Sequence, residues 1–329
     1  MRKFLGWLAL VLMVVVGGAL LYFRTPDTDP AAMRAKYGGP PSQYVDLGGG
    51  LTVHLRDTGP REAPVLMLIH GSNASLHTWE PWAARLGKRY RIIRFDLPGH
   101  GLTGPSPSRN YSSAAFVDVV EKVRAKLGVD HMVLAGNSMG GGVAWHYALM
   151  YPEHLRGLVL VDASGQPEPG NQSPPLAFRI ARLPVLRDLA AMITPRSLIA
   201  DALPSAFSDK KFADDKAIDL YWELLRYSGN RTATIDRFST APDYATAEKL
   251  ARIRTPTLIL WGQEDRLIPV SSAHWLHDRL PGSQLIIYPG TGHVPMEERA
   301  DQSAADVYRF IEMKALPAPV PSQAAPPAR

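Results

Sequence analysis

Residues 131–151 constrain this chain more than any other stretch. Met132 to Ala135 is an apolar run that reads as a buried strand. It stops at Gly136-Asn137-Ser138-Met139-Gly140, and a helical pattern follows from Gly141 to Tyr151. Gly136, Ser138 and Gly140 fit Gly-x-Ser-x-Gly with a strand before and a helix after, which is the context that motif needs. Small residues on both sides of the serine leave room for close backbone approach in a tight turn. The hydroxyl is then held at the carboxyl edge of a sheet, over a helix N-terminus whose amides and dipole favour negative charge. A glycine-rich turn between a strand and a helix would give the same five residues, so the rest of the chain has to decide.

Composition excludes several chemistries. The 329 residues are 46% hydrophobic and 20% charged, a globular balance that suits one large α/β domain or two small ones. There is no cysteine, so a disulfide framework, a thiol nucleophile and a cysteine metal site are all excluded. The net charge of +5 is scattered and not interleaved with aromatic residues, so no nucleic-acid partner is read from it.

Phe4 to Phe23 is an uncharged run long enough to span a bilayer core, preceded by Arg2 and Lys3 and followed by Arg24. Gly17-Gly18-Ala19 would serve as a signal-peptide cleavage site, with secretion as the outcome. The apolar run continues past it to Phe23, which favours an uncleaved signal anchor over residues 1–24. The basic end then stays in the cytoplasm and the bulk of the chain lies outside. Residues 25–41, polar and rich in Pro and Gly, read as a linker.

The segments Gln43 to Leu47 and Leu51 to Arg56 alternate around Gly48-Gly49-Gly50 and predict a hairpin. Val65 to Ile69, Tyr90 to Phe95 and Gly157 to Val161 are further buried strands. Helices are expected over Thr78 to Leu86 and Phe116 to Leu127, the second closed by Gly128. Strands alternating with helices imply a mostly parallel sheet. From about 163 to 247 the strand rhythm stops. Helices are suggested at Leu176 to Leu183, Val185 to Ile193, Pro195 to Ala202, Asp214 to Tyr227 and Arg231 to Phe238, an inserted helical cap. Strands resume with Thr257 to Trp261 and Gln284 to Tyr288, and a last helix covers Ala300 to Met313. Residues 314–329 are Pro/Ala-rich and expected to be disordered.

Acyl transfer by a serine needs a base, an acid to orient the base, and donors for the oxyanion. His293, in Gly290-Thr291-Gly292-His293, is the candidate base, and Asp265, in Trp261-Gly262-Gln263-Glu264-Asp265, the candidate acid. Each follows a separate strand, in the chain order Ser138, Asp265, His293. Glu264 and Asp162 are competing acids. The expected oxyanion donors are the backbone N–H groups of Ser72 and Met139. His70, Asp96 and His100 read as loop scaffolding. Trp79, Trp82, Trp222 and Trp275 read as packing.

His70-Gly71, Asp96-x-Pro98-Gly99-x-Gly101, Gly136-Asn137-Ser138-Met139-Gly140, Gly262-x-x-Asp265 and Gly292-His293, in this order, resemble the α/β-hydrolase superfamily. The resemblance spans residues 42–313. It implies a mostly parallel eight-stranded sheet with helices on both faces, a cap over the site, and the roles just given for Ser138, Asp265, His293, Ser72 and Met139. It also implies no metal or organic cofactor and a small apolar ester as substrate. Superfamily branches with an aspartate nucleophile are excluded by Ser138. The Asn137 and Met139 pair is similar to hydrolases that cleave carbon–carbon bonds in ring-fission products. Those enzymes carry Trp after the catalytic His, where this chain has Val294. Cofactor-free perhydrolases share the triad and stay open, as does a non-catalytic binding module on this fold. The expectation is therefore a membrane-anchored serine hydrolase of carboxylic esters.

Overall fold

The computed structural model describes residues 24–167 and 192–316, together with positions 4, 7, 11, 14, 15, 17 and 18. Eight strands run in chain order: β1 Ser42–Asp46, β2 Thr52–Thr58, β3 Val65–Ile69, β4 Arg91–Phe95, β5 Met132–Asn137, β6 Leu155–Val161, β7 Thr257–Gly262 and β8 Gln284–Tyr288. They form one sheet in the order β1-β2-β4-β3-β5-β6-β7-β8. The hairpin β1–β2 and the β2–β4 pair are antiparallel, and all later pairs are parallel. The eight-stranded, mostly parallel sheet matches the expectation from the strand rhythm and the resemblance.

Strand alternation builds two cores. Met67 and Ile69 of β3 pack with Val117, Val120, Val143 and Trp145 on one face of the sheet. Leu66 and Leu68 pack with Trp79, Trp82, Val307 and Phe310 on the other. Side chains two apart share a face, so a continuous apolar run supplies both layers at once. The helices Ser113–Lys126 and Met139–Met150 cover the first face. Glu80–Leu86 and Ala300–Phe310 cover the second. At full burial each such side chain contributes roughly 1.5–3 kcal/mol.

The topology places the site. After β3 the chain goes to β4 on one side, and after β5 it steps through β6, β7 and β8 on the other. β3 and β5 are neighbours, with Ile69 paired to Gly136. The loops that follow them therefore open side by side where the strand order switches, which is where ligands sit in open α/β sheets.

The described part of the cap holds the helices Arg196–Ala202, Asp215–Leu225 and Asn230–Ser239, close to the expected positions. The helices expected at 176–183 and 185–193 lie outside the described residues apart from Met192, which is helical, and Ile193. So does the tail from residue 317 onward. Ala300–Phe310 ends in a π-helical turn, Ile311–Ala315. Short helices at Ala247–Ala251, Ser271–His277 and Pro295–Glu298 were not expected from the sequence.

The linker reading of residues 25–41 needs correction. Pro30–Tyr37 is a helix, with Pro30 in its first turn and Asp29 capping the Ala32 N–H at 2.7 Å. Met33 of that helix packs on Leu224 and Tyr227 of the cap. Ahead of it, the Thr28 N–H donates to Arg226 O and the Arg226 guanidinium donates to Pro26 O. Arg231 pairs with Asp27 at 2.5 Å. The segment is fastened to the cap by partners about two hundred residues away in sequence. For the run Phe4 to Phe23, only the seven isolated positions are described. Among the described residues, no helix is long and apolar enough to cross a membrane.

Candidate active site

Ser138 sits between β5 and the helix Met139–Met150 with φ 55° and ψ −121°. That backbone is costly for a residue with a Cβ and persists only where its surroundings force it. Here both sides are crowded. A Cβ on Gly136 would lie 2.1 Å from Gly140 O, and one on Gly140 would lie 2.3 Å from Ile69 O. The two glycines of the motif are thus required by close backbone approach. The Ser138 N–H donates to Val161 O at 3.0 Å, and the Ser138 carbonyl accepts from Gly142 and Ser164.

β8 delivers His293 and β7 delivers Asp265, on neighbouring strand ends. His293 Nδ1 lies 2.7 Å from Asp265 Oδ2, and both side chains are buried. Asp265 Oδ1 accepts the Leu267 and Ile268 N–H groups at 2.8 and 3.0 Å. With Oδ1 so engaged, Oδ2 is held toward the imidazole. The bond fixes Nδ1 as the protonated nitrogen and leaves Nε2 as acceptor. The base loop is braced by Asn137, whose Nδ2 donates to His293 O at 3.0 Å and to Val161 O at 3.2 Å. The His293 N–H donates to Ala206 O of the cap at 2.8 Å.

The two competing acids are separated by the structure. Glu264 accepts the Thr291 N–H at 2.9 Å, and its own N–H donates to Thr291 O. It ties the two loops together and is not directed at His293. Asp162, at φ 44° past β6, is fully buried. Its Oδ1 accepts the Gly262 N–H at 2.9 Å, while Oδ2 meets no donor among the described residues. Burial, and next the neighbouring Asp265 charge, push its pKa well above the usual carboxylate range. A neutral Asp162 can donate its proton to Asp265, which an ionised one could not. Ligand atoms of Asp162, Asp265 and His293 lie within 4.8 Å of one another. The Asp265–His293 bond already occupies the two groups a cation would need, so the cluster reads as a hydrogen-bonded relay.

Ser138 and His293 line one cavity of about 310 Å³, shared with Gly71, Ser72, Asn73, Leu203, Tyr221 and Val294 among others. The Met139 N–H opens the helix and is among those with no partner inside it. The Ser72 N–H donates to no acceptor among the described residues. Ser138, Asp265, His293, Ser72 and Met139 are thus brought to one strand-end cluster. Large apolar residues of the expected cap helices differ in place. Tyr221 lines the cavity, Ile218 packs in the core, and Leu186 and Leu189 lie outside the described residues.

The scaffold residues hold backbone. His70 Nδ1 contacts Gly71 O at 2.7 Å and its Nε2 accepts the Leu97 N–H at 3.0 Å, so the ring is a neutral bridge between two loops. A second Ser–His–Asp contact set exists: Ser42 Oγ, His54 Nε2 at 2.8 Å, and His54 Nδ1 with Asp96 Oδ2 at 2.7 Å. Here Ser42 Oγ also accepts from Arg56 Nε, and Asp96 takes the Leu76 and Leu102 N–H groups. Those bonds fix the loop after β4, and His54 is wholly buried beneath the edge strand.

Two residues of the site carry no sequence signal. Glu298 accepts the N–H groups of Gly292, Ser208 and Asp209, joining the base loop to the cap. Arg237 reaches from the cap to Ser72. Both contacts form only on folding, across 90 and 165 residues.

Residues 64–300 match the family model described as alpha/beta hydrolase fold. The chain is 28% identical to an uncharacterized protein of Mycobacterium tuberculosis over 278 residues, 76% of this chain and 75% of that one. It is 28% identical to a 2-hydroxy-6-oxononadienedioate/2-hydroxy-6-oxononatrienedioate hydrolase of Burkholderia vietnamiensis, over 82% of this chain and 95% of the relative. A solved structure of a bacterial membrane phospholipase A superposes with a TM-score of 0.67 at 28% identity, covering 95% of this chain and 98% of that one.

Proposed function

The chain belongs to the alpha/beta hydrolase fold family, and we propose that within it this protein is a serine hydrolase of carboxylic esters, held at a membrane by its N-terminal apolar run. The observation that carries the reading is Ser138 on a strained turn, opening into the same cavity as a His293 already paired to Asp265. Ser138 Oγ attacks the ester carbonyl while His293 Nε2 takes its proton. The Ser72 and Met139 N–H groups hold the oxyanion. The tetrahedral intermediate expels the alcohol, which takes the proton back from His293. Water, deprotonated in turn by His293, then releases the acid and restores Ser138.

Cavity chemistry favours an ester with an apolar acyl chain. Ile199, Ala202, Leu203, Tyr221, Leu267 and Val294 line it, and no Lys or Arg is among its described lining residues. The Burkholderia vietnamiensis relative acts, by its name, on a dioate, a substrate with two carboxylates. Such a substrate would bring its charges to a wall with no cationic side chain. Carbon–carbon hydrolysis is the second reading, favoured by that relative and by the Asn137 and Met139 pair. The assay that separates them compares short to medium acyl esters with a vinylogous diketo acid. Graded ester turnover with little diketo acid turnover is expected, since each methylene in an apolar pocket is worth about 1–3 kcal/mol. Preferred cleavage of the diketo acid would reverse the assignment.

Membrane attachment is supported by the length and flanking charges of Phe4 to Phe23 and by likeness to a membrane phospholipase A. The chain that follows this run is bonded to the cap through Thr25 and Thr28. The full chain is expected to sediment with membranes and to resist carbonate extraction, retaining Leu5 to Phe23. A mature N-terminus near Leu20 would instead mean cleavage and secretion, and a protease-protected catalytic domain would overturn the orientation.

A further inference from the structure

Arg237 lies in the cap helix Asn230–Ser239, and its side chain crosses to the loop after β3. Nη2 donates to Ser72 Oγ at 2.6 Å, with Asn73 Oδ1 at 3.5 Å. Thr234, three residues earlier, donates to the same Asn73 oxygen at 3.2 Å. Cap and loop are therefore joined at the two residues that flank the cavity beside Ser138. The loop is close to the nucleophile: a Cβ on Gly71 would lie 3.0 Å from Ser138 Cβ.

The cation has an unusual setting. The other described cap arginines divide: Arg196 has Asp219 and Arg231 has Asp27, while Arg226 donates to Pro26 O. Arg237 pairs with no carboxylate among the described residues. Its charge rests over the Phe238 ring, 4.4 Å from the centroid, and its Nε is buried with no acceptor among the described residues. Burial alone pushes its pKa, down to about 10, so it stays charged at neutral pH. Taking a guanidinium out of water without an anion is costly, and the cost falls when negative charge forms nearby. In ester hydrolysis that charge forms on the carbonyl oxygen, beside Ser72, and only in the transition state. A donor set already oriented in the resting enzyme stabilises such charge without reorganising.

We propose that Arg237 is a positioning residue of the oxyanion hole: from the cap it fixes Ser72 and places a positive charge behind the amides that receive the substrate oxygen. This rests on the serine-hydrolase reading and extends it. The oxyanion hole is then complete only while the cap is docked on the loop, so cap position and turnover are coupled through one side chain.

The test uses the detergent-solubilised full chain, with Arg237→Gln, Arg237→Lys and Ser72→Ala. Each is assayed on a neutral short-chain ester and on an ester of the same length ending in a carboxylate. Removing a direct oxyanion donor costs about 10²–10³ in kcat, so an indirect one is expected to cost about 10–100-fold. Arg237→Gln should lose that in kcat on the neutral ester with KM within about twofold, and Arg237→Lys should recover part of it. Affinity for a boronic acid that mimics the tetrahedral state should fall by the same factor as kcat/KM. Ser72→Ala, which removes the Arg237 acceptor but keeps the amide, should show a smaller loss of the same kind. Wild-type kcat in Arg237→Gln would overturn the proposal. So would a loss confined to KM for the carboxylate ester, which would make Arg237 a substrate-anion site. Equal losses in Arg237→Gln and Arg237→Lys, with a lowered melting temperature, would reduce it to a structural contact and also overturn it. Fluorophosphonate labelling of wild-type Ser138 keeps the two claims apart. If the wild type is not labelled, the serine-hydrolase reading fails whatever Arg237 does.

Discussion

Replacing Ser138 with alanine lowers kcat on a short-chain ester by on the order of 10³-fold or more, and replacing His293 with alanine does the same. The double variant loses little further. Ser138 supplies the attacking oxygen and His293 the acceptor for its proton, so neither works without the other, and losses within such a unit do not add. What remains after both changes comes from binding and from the Ser72 and Met139 amides, which the substitutions leave in place. Neither residue supports the sheet. Ser138 is strained where it stands, at φ 55°, and Ala occupies the same backbone. Melting temperatures of the Ser138 variant are therefore expected to stay near that of the wild type. Ester turnover in Ser138→Ala within tenfold of wild type would remove the mechanism, and additive losses in the double variant would mean that two independent effects had been measured.

The second large effect separates two aspartates. Asp265→Asn lowers kcat by about 10³–10⁴-fold, because an amide nitrogen facing His293 favours the wrong tautomer and no longer stabilises the imidazolium. Asp162→Asn leaves kcat within about threefold, because Asn keeps the acceptor for the Gly262 N–H and still offers a hydrogen to Asp265. Stability moves the other way. The folded-state pKa of Asp162 lies well above its unfolded value, chiefly from burial and next from the Asp265 charge. Over the pH range between those two values the folded state binds the extra proton, so the neutral Asp162 makes folding less favourable as pH rises above about 4. Asn cannot ionise and is free of this penalty. Asp162→Asn is thus expected to match the wild type in thermal stability below about pH 4 and to exceed it increasingly toward neutral pH. Activity assays on both variants with melting curves from pH 4 to 8 check this. A crippled Asp162→Asn beside a mild Asp265→Asn would exchange the two assignments.

Strand-ending residues made the core of this account readable from sequence. Val65 to Ile69, Met132 to Ala135 and Leu258 to Trp261 are apolar on both parities, as a strand covered on two faces requires, and each is followed within four residues by a residue of the site. The choice between Asp162 and Asp265 could not be read with certainty, since each is an aspartate just past a strand. Sheet order favours Asp265: β7 is adjacent to β8, so Asp265 stands beside the loop that carries His293, while Asp162 stands one strand further away. Residues 25–41 misled because Pro and Gly content reports local flexibility, and their order comes from Glu223, Arg226 and Arg231 of the cap. Glu298 and Arg237 escaped for the same reason. Their sequence neighbours are ordinary, and their partners arrive only with the fold.

The most direct measurement of the central claim is mass spectrometry of the full chain after brief exposure to a fluorophosphonate or to an activated ester quenched in acid. A single covalent adduct on the peptide that carries Ser138, missing in Ser138→Ala and formed far more slowly in His293→Ala, is the predicted result. Ester hydrolysis at wild-type rate with no adduct on Ser138, or with an adduct on another residue that survives Ser138→Ala, would contradict it.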